Sequence, residues 1–180
     1  MRETSAETLW NDNQRLLRQA QDLVEQLQHR AAPSFEYGRA VGPHLRHIME
    51  HYTALLRALA QADPVVHYDA RGRDMRVQNE PAAALTMLRD VLARWSDMAR
   101  ERGTPHALSQ TLGTCLQAGA VGEHSVSVPS TLGRELLFLS SHTVHHFALL
   151  VPYCRAAGVE PGPDFGKAPA TRAFERLAAA

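Results

Sequence analysis

The sequence predicts an all-α protein, built as one up-and-down bundle of four long helices with a short β-hairpin or irregular insert before the last of them. Three observations carry this. Apolar residues recur at three- and four-residue steps over four stretches of helical length. Proline, glycine and polar clusters punctuate the chain between those stretches. The length of 180 residues, 44% of them hydrophobic, suits a single domain over 1–180 with one core.

The first helix is expected over 5–31. Ser5 is its expected N-cap, and Leu9, Leu16, Leu17, Ala20, Leu23, Val24 and Leu27 form its apolar stripe. Asp12, Arg15, Arg18, Asp22 and Glu25 make a solvated face, and Pro33 closes the helix into a loop over 32–40. The second helix is expected over 41–62, with Pro43 tolerated in its first turn and Asp63-Pro64 as its stop. Its stripe is Ile48, Leu55, Leu56 and Leu59. A polar connection follows over 63–80, concentrating His67, Tyr68, Asp69, Arg71, Arg73 and Asp74. Loops of that length are usually functional or mobile, although paired Asp and Arg residues more often form surface ion pairs than catalytic groups.

The third helix is expected over 81–102, capped by Asn79 or Glu80, with Pro81 at its first position and Gly103 at its close. Between 104 and 129, Gly113, Gly119, Gly122 and Pro129 break any helical period. HSVSV alternates in the manner of a strand, a weaker strand lies near Gln110–Gln117, and Gly119–Gly122 would turn between them. The fourth helix is expected over 130–157, with Ser130 as N-cap, Gly158 at C′, and Pro152 as a kink or an early end. The tail begins as a Pro/Gly-rich loop and ends in a short helix from about Pro169.

Composition narrows the function. Nineteen basic and nineteen acidic residues cancel, so no electrostatic footprint for nucleic acid or an anionic membrane is present. No apolar run is long enough to cross a bilayer, and the polar start MRETSAETLW has no secretory h-region. Cys115 and Cys154 form neither a CxxC pair nor a disulfide framework, so a reducing, cytoplasmic home is the expectation.

The chemistry is concentrated in histidine. Leu136 to Tyr153 places His142, His145 and His146 in an otherwise apolar helical run. His142 and His146 fall one turn and roughly 40° apart on one face, the spacing by which two imidazoles reach one metal ion. Upstream, His44, His47 and His51 lie within about 60° on a face of the second helix, and any of them could supply a third ligand. Three nitrogens and an open position would make a catalytic metal site. The bland alternative is a set of packing histidines bonded to carbonyls and carboxylates. Thr143 stands where an HExxH metalloprotease carries glutamate, and neither GxSxG nor a phosphate-binding loop is present. Cys154 could approach the cluster, but a buried cysteine is usually an inert small hydrophobe.

RHIMEHY at 46–52, VHYDARGRD at 66–74, PSTLGRELLFLSSHTVHHFALL at 129–150 and DFGKAPATR at 164–172 together resemble the DinB/YfiT-like metalloenzyme family over most of the chain. The resemblance implies a four-helix bundle holding a divalent metal, zinc, nickel or iron, on His47, His142 and His146. His51 and His145 are alternate ligands, and His44, beside Pro43, is the least favoured. It further implies a homodimer acting on a small-molecule substrate, with a low-molecular-weight thiol as a possible co-substrate and a thiol-dependent S-transferase or hydrolase as the activity. Glu50, Tyr52, Tyr68 and Asp69 are the candidate acids and bases. The competing expectations are a non-catalytic stress-related or ligand-binding bundle, and a structural helical dimer.

Overall fold

The computed structural model describes residues 4–70 and 72–179; Arg71, part of the expected polar cluster, lies outside the described residues. The chain is mostly helical with a small three-stranded sheet, so the all-α expectation is corrected. Helix α1 covers Ser5–Arg30, α3 Gly42–Leu59, α5 Pro81–Arg102 and α6 Leu132–Ala156. Short helices α2 (Tyr37–Ala40) and α4 (Met75–Asn79), a 3-10 turn over Pro105–Ser109 and the C-terminal α7 (Pro169–Ala178) make up the rest of the helical part among the described residues.

The N-cap of α1 is Thr4 rather than Ser5. Thr4 Oγ1 accepts from the Glu7 backbone N–H while the Glu7 carboxylate accepts from the Thr4 N–H at 2.7 Å, a reciprocal box that Ser5 cannot form. Helix α6 likewise begins one residue after Thr131, which caps Arg134 N–H, because Ser130 is still paired in a strand. Pro152 neither ends nor replaces the helix. It sits on an exposed face, and buried Leu150 and Cys154 on either side hold the last turns against the core. The end of α6 is fixed by Gly158 at φ +78°: its N–H donates to Arg155 O and the Val159 N–H to Cys154 O, the paired bonds of a Schellman close.

The 63–80 connection is not structureless. Strand β1 (Val65–His67) runs parallel to β2 (Thr111–Ala118), which pairs antiparallel with β3 (His124–Thr131). A three-residue strand has too few positions to show a period, so β1 is visible only through its partner. The expected hairpin is present and longer than HSVSV, and the loop expected over 32–40 contains α2.

Helix α1 packs on α5 and α6, and α3 packs on the same two. Trp10 and Trp95 meet at 4.6 Å between ring centroids, and Trp95 Nε1 donates to Trp10 O at 3.1 Å. Around them Tyr52, Leu17, Leu23, Leu45, Ile48, Leu55 and Phe147 are buried. The core carries a polar seam. Asn13 Nδ2 donates to Leu136 O at 3.0 Å, Tyr52 Oη donates to Asn13 Oδ1 at 2.8 Å, and Thr143 Oγ1 lies 3.2 Å from the same hydroxyl. These bonds satisfy buried polar atoms and join α1, α3 and α6.

Candidate metal centre

The packing of α3 on α6 brings the two histidine faces together. His47 Nε2 lies 2.9 Å from His142 Nε2, and the ring centroids of His47, His142 and His146 are 4.6–4.9 Å apart. One ligand atom from each of the three lies within 4.8 Å of the others. Two nitrogens bound to one first-row cation at about 2.0–2.1 Å sit roughly 3 Å apart, so the His47–His142 pair is already at bridging distance and the third ring needs at most a small rotation. All three rings are half-buried, which leaves a side open to solvent.

The donor set fits a divalent cation in protonation as well as in geometry. Two ring nitrogens at 2.9 Å cannot both carry a proton towards each other, so at least one presents its lone pair there. Burial, reinforced by His142 and His44, pushes the His146 pKa down to about 4, and burial lowers that of His44 as well. Neutral imidazole is the form that ligates.

The remaining histidines take distinct places. His44 Nδ1 lies 2.9 Å from His146 Nδ1, so it touches the outer side of one triad member. His51 is buried, its Nδ1 donating to His47 O at 2.9 Å, with its ring 4.5 Å from that of His142. His145 is exposed and adjoins His146 at 5.5 Å.

Of the acid and base candidates, Tyr68 borders the cluster. Its ring stacks on His51 at 5.1 Å, and its hydroxyl donates to Glu135 Oε2 at 2.6 Å. Burial and then the Glu135 bond raise its pKa, so it is a neutral donor. Glu50 accepts the backbone N–H of Arg73 at 2.7 Å and meets Arg46 at 3.4 Å, anchoring the loop that enters α4. Arg73 sits at φ +48°, a conformation that this bond holds in place. Tyr52 is committed to the polar seam, and Asp69 Oδ2 accepts the Gln117 N–H at 2.7 Å, extending the β1–β2 pairing.

Sequence reasoning missed Glu135. It is buried, held by Tyr68 and by Ser130 Oγ at 2.5 Å. The signal was its spacing: positions 135, 138 and 142 share one helical face, and Phe138 stacks on His142 at 5.4 Å.

Fold and site together define a mostly helical protein whose two packed helices offer three imidazoles to one cation. No family model and no solved structure matches the chain. Over 108 residues it is 30% identical to "FK506-binding protein 5" of Rhizopus delemar, a match covering 59% of this chain and 26% of that protein. The chain thus spans about a quarter of the length of the curated relative it matches.

Proposed function

We propose that the chain is a DinB-like metal-dependent enzyme whose four long helices form an up-and-down bundle around a zinc, nickel or iron ion on His47, His142 and His146. The observation that carries this reading is the convergence of three imidazoles from α3 and α6 within 4.8 Å. Bound there, the metal would acidify a coordinated thiol or water and supply a nucleophile near neutral pH. The protein's part is positional. His51 is held against the triad by its bond to His47 O, and Tyr68, kept neutral by burial and Glu135, presents a fixed aromatic wall beside it. The substrate class is a small electrophile, attacked either by a low-molecular-weight thiol or by water, and the working form is a homodimer in the cytoplasm.

Elemental analysis of purified protein is the first test. About one divalent metal per chain in the wild type, lost in both His47→Ala and His146→Ala, supports the site; an equal metal content in all three removes it. Metal-dependent conjugation of thiols to electrophiles above a His142→Ala background then separates transferase from hydrolase.

A second reading rests on the surplus of imidazoles. His44 and His51 lie against the triad, and either could close the open position and leave a fully ligated, non-catalytic bundle. The spectrum of a cobalt-substituted sample discriminates: added thiol perturbs an open site and leaves a closed one unchanged.

A further inference from the structure

Helix α6 has a second functional-looking face. Positions 137, 140, 141 and 144 lie roughly opposite 142 and 146 on a helix with about 3.6 residues per turn. There α6, α1 and the segment leading into α7 enclose a recess of about 270 Å³. Leu9 and Leu16 of α1 and Leu137 and Val144 of α6 form its apolar wall, and Arg15, Lys167 and Arg172 also line it.

Its three cations are not equivalent. Arg15 is paired with Asp12 at 2.9 Å, and Lys167 with Glu175 at 2.6 Å. Arg172 has no ion pair among the described residues, and its Nε is closed off from solvent with no hydrogen-bond partner there. Arg172 is therefore the lining cation whose charge is left for an occupant, and a carboxylate in the recess is the group that matches it. Asp164 lines the same recess, so a second negative charge on an occupant would be repelled.

We propose that this recess is a ligand site separate from the histidine cluster, taking a small amphiphilic monocarboxylate: an apolar body against Leu9, Leu16, Leu137 and Val144, and one carboxylate on Arg172. The volume suits roughly ten to fifteen heavy atoms, the size of a medium-chain acid.

Isothermal titration with octanoate, octanol and the dicarboxylate suberate tests the assignment on the full chain. Saturable octanoate binding is expected in the range of about 1 mM or tighter, with suberate weaker by roughly tenfold. Arg172→Gln should weaken octanoate by roughly tenfold or more and octanol by far less, since it removes a charge-assisted bond and no apolar surface. Ser141→Trp, which fills the recess from an exposed position, should abolish both, and Leu137→Arg, also at an exposed position, should reduce octanol binding if the tryptophan variant fails to fold. Asp164→Asn should narrow the gap between octanoate and suberate. His142→Ala should leave octanoate binding unchanged, which separates this site from the metal reading. Absence of saturable octanoate binding, equal affinities in wild type and Arg172→Gln, or loss of binding in His142→Ala would each overturn the proposal.

Discussion

Asn13 shows how much one buried amide can do. Its two amide hydrogens go to Leu9 O and Leu136 O, and its oxygen takes the Tyr52 hydroxyl, so a single side chain joins three helices. Asn13→Ala should destabilise by about 1–3 kcal/mol in urea unfolding, because the Leu136 carbonyl and the Tyr52 hydroxyl both lose a partner in the core. Tyr52→Phe should lose less, because Thr143 keeps its bond to Leu139 O and Asn13 keeps both of its amide hydrogens bonded. His146 makes a second residue-scale prediction, for the metal-free protein. Its folded pKa of about 4 lies below its ordinary value of 6.5, so between those pH values the unfolded chain binds the extra proton. Stability should therefore fall as pH drops from about 6.5 towards 4, and His146→Leu should flatten that slope in urea midpoints measured with chelator present. The sequence shows that the histidines share faces. It could not show that Asn13 is central, because an asparagine on a polar-looking helix turn has the same spacing whether its partners are water or another helix.

Elements differ in how legibly they were written. Helices α1, α3, α5 and α6 follow from apolar spacing, since each buries one stripe over several turns. Strand β1, helix α2 and helix α4 do not, because each is too short to carry a period and is held by its neighbours. The tail is fastened to α6 at Gly166, at φ +73°, where a Cβ would stand 2.6 Å from Ala148 N. Next to it Phe165 stacks on Phe147 at 4.3 Å. Gly166→Ala should cost more than about 1 kcal/mol, since both the backbone conformation and the space are lost. Hydrogen exchange should show the effect first in residues 159–178, where the tail lifts from α6, with α1 and α5 keeping their protection.

For the molecule as a whole, Cys154 is a reporter of global opening. It is buried under the last turns of α6, and burial raises its pKa to about 11, so at pH 8 the folded protein presents neither access nor thiolate. A disulfide reagent should modify it only at the rate of global unfolding, with modification read by mass spectrometry across a urea series. Rapid labelling in native buffer would show that the C-terminal half of α6 opens separately.

The sequence by itself determined the four long helices, the hairpin before the last of them, and the two faces on which the histidines stand, because all of these are set by local periodicity and turn chemistry. Only the tertiary structure decided that the faces meet. The packing of α3 on α6 put His47 and His142 within 2.9 Å, and the fold of the 63–80 connection against α3, β2 and α6 turned Glu50 and Asp69 into backbone anchors and paired Tyr68 with Glu135 across 67 positions of chain. Periodicity says which side of a helix is apolar; it carries no information about which other helix will lie against it.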